Sequence, residues 1–279
     1  MKDLNQQAKE IRELVVGMLT EAGSGHTAGP LGSVDFWTAL YLGGVINYQV
    51  EDPRWEGRDR VVVSAGHYAP AVYATLAKAG FFKEKELMSL RKLGSRLQGH
   101  PHFKAGGKNN VPGIETSSGP LGQGVSQAVG MALVGKMERK SWQVYCFCSD
   151  GEQEEGQTWE GYMLAGKYGL SNLTFVMDRN GIQIDGETRE VMPLEPLRLK
   201  LESFGLAVEE VDGHNIEEIL ESLRKLKMVT DRPGMLILRT VPGKGVSWLE
   251  GDYRWHGRVM NKEESEKAIK EIKGEEGEK

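Results

Sequence analysis

The chain has 279 residues, of which 39% are hydrophobic and 27% charged, with a formal net charge of −5 and a pI near 5.8. A domain of this length buries roughly 75% of the surface its unfolded chain would expose, so a core forms without disulfide or metal staples. The acidic balance argues against a nucleic-acid or anionic-membrane partner, since both want a basic face.

In chain order, the N-terminal MKDLNQQAKEIREL reads as a charged amphipathic helix. It lacks the apolar core of a secretory signal, and no apolar run approaches the ~20 residues of a membrane span, so the expected location is the cytoplasm. Short β-branched runs follow at 60–64, 142–148, 172–178, 206–211 and 235–239, alternating with helical patterns at 71–79, 84–93, 122–139, 159–168 and 217–228. The near-continuous apolar character of the strands fits a parallel sheet covered on both faces. The alternation predicts an α/β fold, a doubly wound parallel sheet with helices on both faces, over residues 1–260. Residues 261–279 form a charged tail, expected to start as a helix and fray through GEEGEK. Cys146 and Cys148 lie two apart on a strand, so both face one side of the sheet. They read as buried thiols in a reducing compartment, because CxC alone has too few ligands for zinc.

The 36 glycines cluster at strand ends and helix starts: 23/25/29, 94/99, 106/107, 119/122/124 and 151/156. The carboxyl ends of parallel strands form a ligand crevice. Glycine there lets backbone N–H groups approach an anion at a helix N-terminus. The most informative segment is 149–186, SDGEQEEGQTWEGYMLAGKYGLSNLTFVMDRNGIQIDG. One strand delivers Asp150-Gly151 into the crevice, and the next expected strand delivers Asn180. A carboxylate, a carboxamide oxygen and a nearby backbone carbonyl are hard ligands suited to Mg²⁺ or Ca²⁺ shared with a diphosphate.

The D-G-E … N-G-I-Q-I-D-G pattern resembles the thiamine-diphosphate signature in the form transketolases carry it. Ser24-Gly25-His26, Ser64-Ala-Gly66-His67, Gly99-His100-Pro101, the loop Gly119-Pro-Leu121-Gly-Gln-Gly124 and Trp255-His256-Gly257 resemble further motifs of that family, in order. Two departures stand out: Ser149 where Gly is usual, and Thr27-Ala28 after the first His where Pro-Gly is usual.

The resemblance implies that Asp150, the Asn180 side chain and the Ile182 carbonyl hold the metal. It places Gly151 against the diphosphate, with Gly119 beside it, Leu121 near the thiazolium, and His67 and His256 on the diphosphate. His26, His67, His100 and His256 are implied as catalytic, lining the channel to the reactive carbon. Glu155 and Glu160 are implied as a proton path between two cofactor sites at a subunit interface. His102 reads as a surface residue, and His214 as a structural residue of a turn.

In this family a second domain, with a glutamate that activates the cofactor, grips the pyrimidine. The resemblance therefore implies a partner, a C-terminal transketolase subunit that carries the pyrimidine-binding domain and holds the sugar's phosphate, in an α2β2 assembly. Together the chains would transfer a two-carbon ketol unit between sugar phosphates of the pentose phosphate pathway. The alternatives are the α subunit of a 2-oxo acid dehydrogenase, a non-pentose ketol transferase, or a non-catalytic thiamine-diphosphate-binding module.

Overall fold

A computed structural model describes residues 3–275. Five parallel strands form the central sheet: β1 (Arg60–Val63), β2 (Val144–Ser149), β3 (Leu173–Arg179), β6 (Ala207–Asp212) and β7 (Gly234–Arg239), in the order β1-β2-β3-β7-β6. A two-residue hairpin, β4 (Ile182–Gln183) with β5 (Gly186–Glu187), stands apart just beyond β3 and leads into a single helical turn, α6 (Thr188–Val191). The expected α/β fold is the one observed.

Alternation along each strand sends side chains to two cores. On β2, Tyr145 and Phe147 pack with α1 (Leu4–Ala22), α2 (Ala28–Leu42), α3 (Ala69–Lys78) and α8 (Ile216–Lys227). Val144, Cys146 and Cys148 pack on the other face with α4 (Gln123–Met137), α5 (Gly156–Lys167) and α7 (Leu197–Ser203). The two thiols share a face as expected, with Sγ atoms 3.8 Å apart and unbridged.

Two elements differ from the sequence reading. Helix α2 has no counterpart among the expected helices, because Ala28 through Tyr41 are all buried and no polar stripe marks a period. The segment 84–93 is not an α-helix: 3-10 turns cover Glu84–Ser89, and Arg91 then adopts a left-handed φ of 60°. Helix α9 (Lys262–Lys273) has an Asn261–Glu264 capping box and a left-handed Gly274, and it buries Ala268 and Ile272 in the core that holds α1. Residues 276–279, the end of GEEGEK, lie outside the described residues, as do Met1 and Lys2 at the start of the expected first helix. No helix among the described residues is long and apolar enough to cross a membrane.

Docking of α9 makes a measurable claim. Ile272 is 4% exposed, so Ile272→Ala should destabilise the chain by about 2–3 kcal/mol, the cost of a buried aliphatic truncation. Urea unfolding measures it, and an unchanged midpoint would mean that the helix contributes no burial.

Candidate functional site

The carboxyl ends of β2 and β3 lie side by side, with Ser149 opposite Asp178 in the ladder. The chain leaves β2 through Asp150 and β3 through Asn180, so the pattern thirty residues apart in sequence meets in space. Asp150 is 1% exposed; its Oδ1 accepts from the Gly151 N–H at 2.8 Å and its Oδ2 from the Gly181 N–H at 2.7 Å. Burial, then the Asp178 carboxylate, pushes its carboxyl up to about 7. Asn180 Oδ1 accepts from the Ile182 N–H at 3.0 Å, while its Nδ2 donates to Asp178 at 2.8 Å and to the Tyr68 hydroxyl at 2.9 Å. Asp178 also accepts from the hydroxyls of Tyr68 and Thr240, and burial raises its own carboxyl.

Above this floor four histidines converge. The ring of His26 lies 5.0 Å from His67, 5.5 Å from His256 and 6.4 Å from His100, centroid to centroid. Burial is the main cause that lowers all four below the usual imidazole range. His26 falls to about 4, with neighbouring His256, His100 and Arg91 adding to the effect. Near neutral pH these are uncharged rings, each able to donate and accept one hydrogen bond. His67 Nε2 and His256 Nδ1 are buried without a partner. A buried polar atom left so is costly, and its usual explanation is a ligand.

The crevice between floor and histidines has a volume of about 270 Å³. Gly119, Leu121, Gly151, Asn180, Ile182 and Glu155 line it. Asp150 lies beneath, and Glu160 is exposed on α5 outside it. A Cβ at Gly119 would meet nothing within 4 Å, and one at Gly151 would make only ordinary contact with Gln183 at 3.6 Å. The chain itself does not require glycine at either position; what their missing side chains preserve is the open crevice.

Other glycine clusters serve the fold. Gly23 caps α1, and Gly107 lines a separate groove. His214 is structural, donating from Nδ1 to Asp35 at 2.8 Å and accepting from the Val241 N–H at Nε2 at 2.7 Å. His102 is exposed.

Glu152 is a site residue to which the motifs assign no role, although it stands within D-G-E. Its carboxylate is fully buried and accepts from the Ser64 hydroxyl, from the Gly122 N–H at 2.6 Å and from the Ser149 N–H at 3.1 Å. It therefore joins the ends of β1 and β2 to the loop carrying Gly119 and Leu121. Ser149, where glycine is usual, completes this turn: its Oγ accepts from the Glu152 N–H at 3.3 Å. The second departure is also absorbed, because Thr27 donates from its hydroxyl to the Arg258 carbonyl at 2.6 Å.

Comparison with known proteins agrees along nearly the whole chain. The family model described as "Transketolase, thiamine diphosphate binding domain" matches residues 4–279. One of the subunits of the apulose-4-phosphate transketolase of Phocaeicola vulgatus is 38% identical over 272 residues, 98% of this chain and 94% of that protein. The 6-deoxy-6-sulfo-D-fructose transketolase subunit SqwG of a Clostridium species is 38% identical over 273 residues, 98% of this chain and 97% of that protein. The solved transketolase from Leishmania mexicana superposes with a TM-score of 0.89 at 32% identity, covering 99% of this chain but only 41% of that one.

The buried imidazoles make stability depend on pH. An unfolded histidine takes up its proton near pH 6.5, native His26 only near pH 4, so the unfolded state binds more protons between those values. The His26 contribution to native stability should fall as pH drops from about 6.5 towards about 4, while the raised carboxyls of Asp150 and Asp178 act in the opposite direction, so the effect is read as the difference between the parent chain and His26→Asn. Urea midpoints at pH 7 and pH 5 check this: acidification should cost the parent chain more stability than it costs His26→Asn, and equal shifts in the two would contradict the burial of His26.

Proposed function

The chain belongs to the family of transketolase thiamine-diphosphate-binding domains, and we propose that it is the diphosphate-holding subunit of a two-chain transketolase. With a C-terminal subunit carrying the pyrimidine-binding domain, it would move a two-carbon ketol unit from a ketose phosphate to an aldose phosphate. The observation that carries this reading is the ring of four uncharged histidines facing a glycine-floored crevice directly above the buried Asp150.

The residues fit a metal and a diphosphate. Asp150 and Asp178 are buried acids whose carboxyls are raised mainly by burial. A divalent cation at Asp150 would offset that cost. Among the described residues there is no group of three or more His, Cys, Asp or Glu poised around a metal. A site built from one carboxylate, the Asn180 amide oxygen, the Ile182 carbonyl and diphosphate oxygens does not need one. The unpartnered nitrogens of His67 and His256 are suited to the diphosphate. When bound, thiamine diphosphate supplies the carbanion chemistry that the protein lacks. The chain's own part is positional and electrostatic. Gly119 and Gly151 leave room for close backbone approach, and Leu121 gives the crevice an apolar wall. His26 and His100 would hold the sugar's hydroxyl and carbonyl oxygens and hydrogen-bond the charge that develops on them. Neutral imidazoles can also pass a proton between substrate oxygens near pH 7.

A partner chain is supported by two relatives of nearly the same length that are themselves named as transketolase subunits. The chain offers a surface to match: α4 and α5 expose Val134 (49%), Met137 (75%), Met163 (56%) and Leu164 (42%). Singly exposed apolar residues are ordinary, but a cluster on adjoining helices marks an interaction site. Glu160 stands on the same helix as Met163 and Leu164, and Glu155 immediately precedes it at the crevice lip. That placement supports a proton path reaching the interface. An α2β2 assembly follows the two-fold closure usual for such interfaces. Unbridged thiols fit a cytoplasmic setting.

The test is a coupled ketol-transfer assay with xylulose 5-phosphate, ribose 5-phosphate, thiamine diphosphate and Mg²⁺. The chain alone should be silent, and the chain with its partner active; silence of the reconstituted pair would overturn the reading. Asp150→Ala should abolish Mg²⁺-dependent cofactor binding measured by calorimetry, and an unchanged affinity would remove Asp150 from the metal site. His26→Ala should keep cofactor affinity near that of the parent and lower turnover by about 10²–10⁴-fold; full activity would make His26 structural.

A further inference from the structure

His26, which faces the sugar, and His256, which faces the diphosphate, lie 5.5 Å apart centroid to centroid with their rings at 89°. They come from opposite ends of the chain, and each stands in a short turn: His26 just before α2, and His256 just after a 3-10 turn over Tyr253–Trp255. Neither turn lies in the sheet, so the spacing of the two rings needs an anchor of its own.

Thr27 meets that need. It is the N-cap residue of α2 and is 1% exposed. A threonine at such a position ordinarily turns its hydroxyl back to accept from an N–H of the first helical turn. Thr27 makes no cap bond of this kind. Its hydroxyl donates instead to the Arg258 carbonyl at 2.6 Å, 231 residues away in the chain. Both ends of that bond are held from behind. On the α2 side, the Ala28 carbonyl accepts from the Gly243 N–H at 2.8 Å, and a Cβ at Gly29 would lie 2.9 Å from the Tyr68 ring. The first turn of α2 therefore rests on the residue that bonds Asp178 and Asn180. On the other side, the Arg258 guanidinium lies 4.0 Å over the Trp255 ring and donates to Glu264 at 2.6 Å, and Glu264 closes the capping box of α9.

We propose that Thr27 is a positioning residue, whose hydroxyl ties the His256 turn to the His26 turn and so fixes the spacing between the sugar-facing and diphosphate-facing imidazoles. The inference rests on the transketolase reading above. The reacting carbon lies between the diphosphate and the sugar's oxygens, so an error in this spacing is an error at the reacting atoms. A displacement of about 1 Å is enough to cost about a hundredfold in rate. The tie also gives a task to the second departure from the family pattern. Proline, usual at this place, stiffens a turn through its ring and has no hydroxyl; in this chain a hydrogen bond supplies the stiffness.

The test compares Thr27→Val, which keeps the branched shape and loses the donor, with Thr27→Ser, which keeps the hydroxyl. Titration of the histidine rings by NMR on the full chain alone reads the surroundings of His26 without any turnover. His26 is faced by His67, His100, His256 and Arg91, and burial is the main cause that holds its ring below the usual imidazole range. Thr27→Val should let the two turns part and bring His26 back towards that range, while Thr27→Ser should titrate as the parent does. The same return is expected of Thr27→Ala, which serves if valine crowds the turn and the chain does not fold. In the two-chain complex loaded with thiamine diphosphate and Mg²⁺, Thr27→Val should lower kcat about tenfold to a hundredfold with little change in the KM of the sugars, and Thr27→Ser should restore it. An unmoved His26 titration without the hydroxyl, a serine variant as altered as the valine one, or a valine complex with the parent's kcat would each overturn the proposal. If His26 responds as expected while the parent complex transfers no ketol unit, the transketolase reading is refuted and the Thr27 tie stands.

Discussion

Two carboxylates buried at the ends of neighbouring strands are the constraint on which this structure turns. Asp150 and Asp178 lie beneath the crevice, and their charges oppose each other. Each is surrounded by donors: backbone N–H groups for Asp150, and Tyr68, Asn180 and Thr240 for Asp178. Such a pair is poor material for stability, because an apolar pair of similar volume would pack there at lower cost. Its value is electrostatic. It concentrates negative charge where the parallel strands end and where a divalent cation with its diphosphate would sit. Tyr68 bonds both Asp178 and Asn180, so α3, which follows Tyr68 directly, is tied to the end of β3. Glu152 does the same for β1, β2 and the Gly119 loop.

What the sequence discloses follows from how strongly each element depends on local pattern. Four of the five strands of the sheet are buried almost throughout, while β6 at the edge carries Glu209 and Glu210, and all five runs are visible to within a residue or two. The amphipathic α8 is equally clear, with Asn215 at its N-cap, Glu217 and Glu218 in its first turn and Arg224, Lys225 and Lys227 in its last. Helix α2 leaves no such trace. It is enclosed all round, and Gly29, Pro30 and Gly32 in its first turns look like a loop until tertiary packing decides. The tail is legible as a helix but not as a docked one, because the apolar residues that dock it, Ala268 and Ile272, are few among its charges.

The site is legible through motif order, and its supporting shell is not. Asp150, Asn180 and the four histidines each stand in a recognisable short pattern, and the structure gathers them at one crevice. Glu152, Asp178, Tyr68 and Thr240 act through buried hydrogen bonds between elements up to 112 residues apart, as for Tyr68 and Asn180. No spacing rule reaches that far. One clue is present: Glu152 is an acid immediately after Asp-Gly, at a point where the chain must turn inward. A carboxylate so placed has only N–H and O–H groups to satisfy it, which makes it a tether.

The same burial that holds the acids in place governs the histidines, and this links the two halves of the site. Withdrawn from water, the imidazoles lose their affinity for protons, so they face the crevice as neutral donors and acceptors. A permanently cationic cluster would bind phosphates well but could not accept a proton from a sugar hydroxyl. A fully exposed one would exchange freely with water. The fold therefore separates two tasks that a single cationic site would confuse. The acid that would hold the cation, Asp150, lies beneath one end of the crevice, while the histidine-lined middle is kept neutral for proton movement. Because a bound diphosphate would stabilise protonated His67 and His256, cofactor loading should itself shift the middle of the site towards the charged form. Anchoring and proton transfer are then coupled through the same four rings.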